Sequence, residues 1–148
     1  MNAIEHLIGF RNSIPKPFRR FITFLIQLYG ADIPQTTQIG RNVRFPHNAT
    51  GTVLHPNVVI KENCVIYQNV TIGRSDVEKP FTGDFELVIE EGCIVGAGAK
   101  ILAAQGKPLH VGKKSMIGAN AVLLCSTGDN EVWAGVPARK VGMRNQGN

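Results

Sequence analysis

The chain contains few of the features on which secreted, metal-binding or nucleic-acid-binding proteins rely. Its three cysteines are an odd number without metal-ligand spacing, which argues against a disulfide framework and against a metal site. Aromatic residues make up 7% of the 148 residues, a composition that suits thin regular layers better than a core of bulky rings. The net charge of +5 comes without a long Lys/Arg run or a nucleic-acid motif. An anionic surface or a small anionic ligand is therefore the expected type of partner.

The N-terminus also lacks the basic head, apolar run and small-residue cleavage site of a secretory signal peptide. The run FITFLIQLY is too short to span a bilayer. With the unpaired cysteines, these absences predict a reducing, cytoplasmic location.

Residues 1–30 are predicted to form a helical segment. Pro15 and Pro17 separate two helices within residues 3–29, and Gly30 ends the second. Five apolar residues recur at spacings of three and four, which places them on one helix face: Phe18, Phe21, Ile22, Leu25 and Leu28. We expect this face to pack on the rest of the fold. The alternative is a basic amphipathic segment, flanked by Lys16, Arg19 and Arg20, that touches a membrane surface.

From residue 31 onward, large apolar residues recur every six positions. They form four series: Ile33, Ile39, Phe45; Leu54, Ile60, Ile66, Ile72; Ile89, Val95, Ile101; and Val111, Ile117, Leu123. A smaller residue precedes many of them by two positions: Val43, Val58, Cys64, Val70, Cys93, Ala99, Ser115 and Ala121. A period of six is typical of a β-solenoid, in which each hexapeptide forms a short strand and a corner. We predict an all-β solenoid of about four coils over residues 31–144, followed by a tail over 145–148.

Three breaks interrupt the six-residue spacing. Phe45 and Leu54 are nine residues apart, Ile72 and Ile89 seventeen, and Ile101 and Val111 ten. Insertions in a solenoid leave it at corners as surface loops, and loops on a rigid scaffold are where function concentrates. His47 lies in the first break and His110 ends the third.

Five segments, in order, carry a resemblance to a known family: ADIPQTTQIGRNVRFPHNATG, YQNVTIG, IVGAGAKIL, IGANAVLL and AGVPARKVG. The chain resembles the hexapeptide-repeat acyltransferases, and most closely the serine acetyltransferases. The resemblance implies a left-handed parallel β-helix, acetyl-CoA as co-substrate and a homotrimer with active sites between subunits. It also implies no metal.

In that family the histidine of the HATG-like turn is the general base, and an aspartate fifteen residues earlier orients it. The matching residues here are His47 and Asp32. Fifteen residues is close to one coil, so Asp32 is expected on the neighbouring rung, about 5 Å away. A carboxylate there would fix the imidazole tautomer, as the acid does in a Ser-His-Asp triad.

Other positions depart from the serine enzymes. Pro46 replaces an aspartate, and Phe85 and Glu86 stand where an arginine and a second histidine hold and process the amino acid. We therefore predict O-acetylation of a sugar hydroxyl in a surface-polysaccharide pathway, with Phe85 and Glu86 contacting the acceptor. Serine O-acetylation is one alternative, and a non-catalytic solenoid serving as a binding module is the other.

The remaining candidates concern the coenzyme and the other reactive side chains. The resemblance implies that Gly96, Ala97 and Ala119 line the coenzyme A groove. Basic residues are expected at the coenzyme phosphates, chiefly Lys100, Lys114 and Arg139, with Lys113 and Lys140 also considered. His55 and His110 are expected as surface turn residues. Cys64 and Cys93 occupy small slots of the repeat, so a covalent acyl-cysteine is not expected.

Overall fold

The computed structural model describes residues 1–144. Residues 145–148, for which a tail is predicted, lie outside the described residues. Helices α1 (Ala3–Ser13) and α2 (Lys16–Leu28) come first, and a short turn spans Pro46–Ala49, with non-helical backbone at His47 and Asn48. The strands are β1 Gln38–Ile39, β2 Val53–Leu54, β3 Val58–Ile60, β4 Val65–Ile66, β5 Thr71–Arg74, β6 Leu87–Ile89, β7 Ile94–Val95, β8 Lys100–Ala103, β9 Leu109–Val111, β10 Met116–Ile117, β11 Val122–Leu123, β12 Glu131–Ala134 and β13 Arg139–Met143.

The strands form three parallel sheets that the chain visits in rotation. Sheet A has the order β2-β5-β8-β11, sheet B β1-β3-β6-β9, and sheet C β4-β7-β10-β12, with β13 antiparallel to β12 at its edge. Two isolated bridges extend sheets A and C toward the N-terminus, Asp32 with Val53 and Arg44 with Val65. The predicted arrangement of short parallel strands with few helices is confirmed.

The six-residue pattern fills the interior between the sheets. Of the thirteen large slots, all but Ile39 are buried, and Ile39 is partly buried. The eight small slots are buried as well, and the buried Ser115 hydroxyl donates to the Gly128 carbonyl at 2.7 Å. The repeat thus alternates large and small side chains in one continuous core.

Two of the three corners turn through left-handed backbone. The corner from sheet B to sheet C repeatedly uses a residue with positive φ, namely Asn42, Asn63, Gly92, Lys114 and Asn130. The corner from C to A does the same at Gly51, Asn69, Gly98 and Asn120. Asparagine and glycine tolerate this region better than other residues do, which explains their recurrence at a fixed place in the repeat.

Helix α1 covers the first coil. The Asn2 side-chain amide donates to the Phe45 carbonyl at 2.6 Å, and the Glu5 carboxylate accepts from the Phe45 N–H at 2.8 Å. Arg11 is buried and donates to the Ile33 carbonyl at 2.7 Å. Burial, with a smaller contribution from Arg19, lowers the pKa of Arg11 to about 10.

The predicted apolar face of α2 is only half correct. Ile22 is buried and Leu25 is partly buried, but Phe18, Phe21 and Leu28 are 64%, 63% and 67% exposed. The residue that completes the buried stripe is Ile26, four positions after Ile22. Within residues 1–144, neither helix combines the length and the apolar character needed to cross a bilayer.

Candidate active site

His47 lies in the first break, at the corner where the chain passes from sheet C to sheet A. The break adds three residues to the repeat, and His47, Asn48 and Ala49 all have φ between 52° and 56°. The His47 carbonyl accepts from the Thr50 N–H at 3.2 Å and from the Thr50 hydroxyl at 2.9 Å. These bonds close the turn and leave the His47 side chain exposed.

Three consecutive left-handed residues are costly when none of them is glycine. Each costs on the order of 1 kcal/mol or more, and such strain is often found at functional sites. The plain corners of later coils turn with a single left-handed residue, as at Asn69 and Asn120. The strained turn is therefore a specific feature of the first break, where it displays the imidazole.

Asp32 lies on the rung beside this turn. Its N–H donates to the Thr52 carbonyl at 2.8 Å, and its carbonyl accepts from the Leu54 N–H at 2.9 Å. The carboxylate, however, accepts from the side-chain amide of Gln27 at 3.3 Å. Among residues 1–144 the His47 ring has neither a hydrogen bond nor an ion pair. The backbone places the two residues on adjacent rungs as expected, but the predicted Asp32–His47 bond is not formed.

The corner of His47 continues as a stacked column, which we call the C–A edge. The Asn69 N–H donates to the Thr50 carbonyl at 2.8 Å, the Gly98 N–H to the Gln68 carbonyl at 3.0 Å, and the Asn120 N–H to the Ala97 carbonyl at 2.9 Å. Coils stack about 4.8 Å apart, so this edge runs about 14 Å from the His47 turn to Asn120.

The predicted coenzyme residues Gly96, Ala97 and Ala119 all lie on the C–A edge. Ala119 is exposed, while Gly96 and Ala97 are half-buried. A Cβ at Gly96 would lie 2.6 Å from the Ala119 nitrogen, so Gly96 is also required for close contact between two coils. The absence of a side chain at Gly96 is therefore required by the packing of the coils, in addition to any role in the coenzyme A groove.

Two of the three basic candidates lie on this edge. The Lys100 ammonium donates to the Asn69 and Gly98 carbonyls at 3.0 and 2.9 Å. Arg139 is exposed and pairs in register with Ala134, at the end of β12. Lys114 instead occupies the corner between sheets B and C, so the structure does not bring it together with the other two.

Two residues that the sequence did not single out also lie on this edge. The amide oxygens of Asn48 and Gln68 are buried, and among the described residues they have no hydrogen-bond partner. Asn48 follows His47, and Gln68 is on the next coil, one residue before Asn69. The positions of Asn48 and Gln68 on the C–A edge follow from the first break and the six-residue spacing. The burial of their amide oxygens could not be predicted from the sequence. Each is an unpaired acceptor near the His47 turn.

The long loop, residues 75–86, folds back on the coil. Phe85 is buried, and its ring centroid is 4.4 Å from that of His55. Burial, and then the charge of Arg74, lower the pKa of His55. Glu86 is exposed and pairs with Nε2 of His110 at 2.5 Å. Phe85 therefore offers no free face to an acceptor, and the role predicted for it is not supported. The His110 side chain lies at the surface as expected, but in strand β9 rather than in a turn. His55 is half-buried against Phe85.

The cysteines of the repeat pack as predicted. Cys64 and Cys93 are buried on neighbouring coils, and their thiols contact the carbonyls of Glu90 and Gly112, each at 3.0 Å. A hydrogen bond with Cys64, together with burial, raises the pKa of the Cys93 thiol, which disfavours a nucleophilic thiolate. In the part of the chain that the structure describes, no three His, Cys, Asp or Glu side chains converge to form a metal site.

Three parallel sheets joined by short corners are similar to the fold of solved hexapeptide-repeat transferases. One solved structure of this class is a bacterial transferase hexapeptide repeat serine O-acetyltransferase from Brucella melitensis. It superposes with a TM-score of 0.78 at 30% identity, over 96% of this chain and 55% of that one.

More particularly, the chain is similar to serine acetyltransferases. It is 40% identical over 113 residues to that of Haemophilus influenzae, covering 76% of this chain and 39% of the relative. The structure of serine acetyltransferase from Brucella abortus in complex with coenzyme A matches with a TM-score of 0.79 and 31% identity, over 95% of this chain and 55% of that chain. The chain thus spans about half or less of the length of these relatives. No family model matches it. The resemblance predicted from the sequence segments is confirmed.

Proposed function

We propose that this chain transfers an acetyl group from acetyl-CoA to a hydroxyl, on a left-handed parallel β-helix of about four coils. The observation that carries the proposal is the strained turn of His47, which stands on the same C–A edge as Gly96, Ala97 and Ala119. The similarity to serine acetyltransferases, one of them in complex with coenzyme A, supports both the reaction and the co-substrate.

His47 would act as the general base. Its imidazole has no competing hydrogen bond among residues 1–144 and is exposed, so a ring nitrogen can accept the proton of an acceptor hydroxyl. The hydroxyl oxygen then attacks the thioester carbonyl, the C–S bond breaks, and the proton passes from the imidazolium to the thiolate. A base of this kind contributes about 10²–10⁴ in rate.

The small residues of the C–A edge would lie along the pantetheine arm. An extended amide chain can reach backbone groups where side chains are short, as at Ala97 and Ala119. For the phosphates, Arg139 is the stronger candidate because it is exposed and only its Nη1 donates to a carbonyl, that of Ala138, whereas the Lys100 ammonium already binds two carbonyls. Lys114 lies at the corner between sheets B and C. It could contact these phosphates only from another subunit, or if the coenzyme followed a different path over the surface.

L-serine is the acceptor that the comparisons favour, over the sugar predicted first from the sequence. A saccharide is kept as the second candidate because of the long loop. There Glu86 pairs with His110, and the nearby Arg74 guanidinium is held by Asp76 at 3.2 Å. Glu86 cannot hold a serine carboxylate because it is itself an anion, and Nε and Nη2 of Arg74 already donate to Asp76 and to the Lys79 carbonyl. A buried carboxylate without a partner costs several kcal/mol.

The test measures thiol release from acetyl-CoA with L-serine, nucleotide sugars and oligosaccharides as acceptors. For a physiological acceptor we expect kcat/KM of about 10⁴ M⁻¹s⁻¹ or more. His47→Ala should lower kcat by about 10²–10⁴. The exposed histidine of α1 gives the matched control, and His6→Ala should leave kcat unchanged.

The outcomes separate the candidates. Efficient turnover of L-serine excludes the saccharide, and turnover of a sugar with none of L-serine selects it. A His47→Ala variant that retains wild-type turnover would remove this residue from the mechanism. Absence of thiol release with every hydroxyl, in a preparation that binds coenzyme A, would leave a binding module as the function.

A further inference from the structure

The outward side of the helical hairpin is an exposed apolar surface. Four apolar side chains of α2 are each more than half exposed: Phe18, Phe21, Phe24 and Leu28. Phe18 lies one turn before the buried Ile22, and the other three lie on the flank of the buried stripe or opposite it. Phe10 of α1 and Tyr29 are also exposed. We call these six residues the helical apolar patch: Phe10, Phe18, Phe21, Phe24, Leu28 and Tyr29.

The patch continues into a groove between the two helices. The groove has a volume of about 420 Å³ and is lined by Ala3, His6, Leu7, Phe10, Leu25 and Tyr29. The apolar arc of α2 is therefore wider than the part that α1 covers. Contiguous exposed apolar surface rimmed by polar residues marks an interaction site more often than isolated exposed residues do.

The charges on α2 itself have one sign. Residues 14–31 contain Lys16, Arg19 and Arg20 and no acidic residue. Lys16 and Arg20 are exposed and four residues apart, so they lie on one side of α2 beside the patch. On α1, the Glu5 carboxylate is held by the Asn2 and Phe45 N–H groups and does not neutralise them.

We propose that this hairpin binds the surface of an anionic membrane. The helical apolar patch would enter the boundary between headgroups and acyl chains, while Lys16 and Arg20 contact lipid phosphates. Phenylalanine and leucine beside lysine and arginine are the composition of helices that lie in this interface. This inference is independent of the acetyl-transfer proposal, because it uses no residue of the C–A edge.

The charge pattern favours a membrane over a second copy of the chain. In a two-fold contact both copies present the same surface, so each would bring Lys16 and Arg20 to the contact and neither would bring an acidic residue of the patch to pair them. An anionic lipid surface offers the complementary charge. The helices are too short and too charged to cross the bilayer, which limits the contact to its surface.

Co-sedimentation of the full chain with vesicles tests the proposal. We expect binding to phosphatidylcholine mixed with phosphatidylglycerol, much weaker binding to phosphatidylcholine alone, and weakening by salt. Lys16→Gln with Arg20→Gln should reduce partitioning about twenty- to thirty-fold, since each cation contributes about five-fold. Phe21→Glu with Phe24→Glu should abolish it. Val77→Glu, in the long loop and 77% exposed, is the matched control and should bind like wild type.

Light scattering and thermal melts of the same variants complete the test. All the substituted side chains are exposed, so the variants should melt with the wild type and keep its mass. Equal binding to both vesicle types, or retained binding by Phe21→Glu with Phe24→Glu, would overturn the proposal. A change of oligomeric mass in that variant without vesicles would show instead that the patch is a contact between subunits.

Discussion

Five glycines occupy the same position in the repeat, directly after a large slot, yet the structure predicts different effects of adding a methyl group to them. A Cβ at Gly96 would lie 2.6 Å from the Ala119 nitrogen and 2.9 Å from the Gly118 carbonyl carbon. At Gly73 the nearest atom would be the His55 Cβ at 3.9 Å. Neither glycine has positive φ, so space alone distinguishes them.

The magnitudes follow from two opposing effects. Replacing glycine by alanine at a compatible site stabilises a protein by about 0.4–1 kcal/mol through the unfolded chain. Overpacking a close contact costs about 1–3 kcal/mol. The coils at Gly96 cannot separate freely, because the Gly96 N–H donates to the Ile117 carbonyl at 2.8 Å. We therefore expect Gly96→Ala to destabilise the fold by about 1–3 kcal/mol and Gly73→Ala to be neutral or slightly stabilising.

Thermal unfolding followed by far-UV circular dichroism measures the difference. For a chain of this size, each kcal/mol corresponds to about 2–4 °C in Tm. All variants are compared at one protein concentration, since the Tm of an oligomer depends on it. Gly112→Ala, with its Cβ 2.4 Å from the Gly128 carbonyl, should behave like Gly96→Ala. If Gly96→Ala and Gly73→Ala melt together, contact between the coils is not what requires these glycines.

Three further predictions concern the site, acid stability and assembly. The resemblance implies that Asp32 orients His47 during turnover, although here its carboxylate binds Gln27. Asp32→Asn should then lower kcat through the His47 tautomer, whereas Gln27→Ala should not, and equal rates in steady-state assays would make Asp32 purely structural. Hydrogen bonds from Lys140 and then Trp133 lower the pKa of Glu131 to about 2. Its stabilisation is therefore complete above pH 4.5 and is lost as the pH falls towards 2, so urea midpoints of Glu131→Gln should lie below wild type at pH 7 and converge with it in acid. In solution, light scattering should give three times the chain mass of 16.1 kDa, and a monomer would contradict the trimer that the resemblance implies.

The spacing of apolar residues was sufficient to predict the parallel sheets and their interior. Large side chains every six positions have one physical solution, a repeating strand and corner, and the buried slots follow from it. The position of Asp32 beside the His47 turn could be counted from the length of a coil. The small residues at 96, 97 and 119 fall on one edge for the same reason.

The spacing could not predict what individual side chains do where the repeat is broken. The Asp32 carboxylate binds Gln27 because α2 ends beside the first coil, and no period links a helix to a strand. Phe85 is buried against His55 because the long loop folds back, which depends on contacts 30 residues apart in sequence. Exposed Phe18 and Phe21 were assigned to the packed face because helical spacing identifies an apolar arc but not how much of it is covered.

The contacts of α1 with Phe45 also bear on how long the molecule can grow. A β-solenoid can in principle be extended at both ends, because its terminal strands carry unpaired backbone N–H and C=O groups to which further strands can add. At the first coil, Asn2 and Glu5 occupy both the N–H and the C=O of Phe45, and at the other end β13 runs back antiparallel along β12. These two ends act as terminators of a linear polymer. A chain without residues 1–13 would expose an open rung that a neighbouring molecule could extend into a fibre.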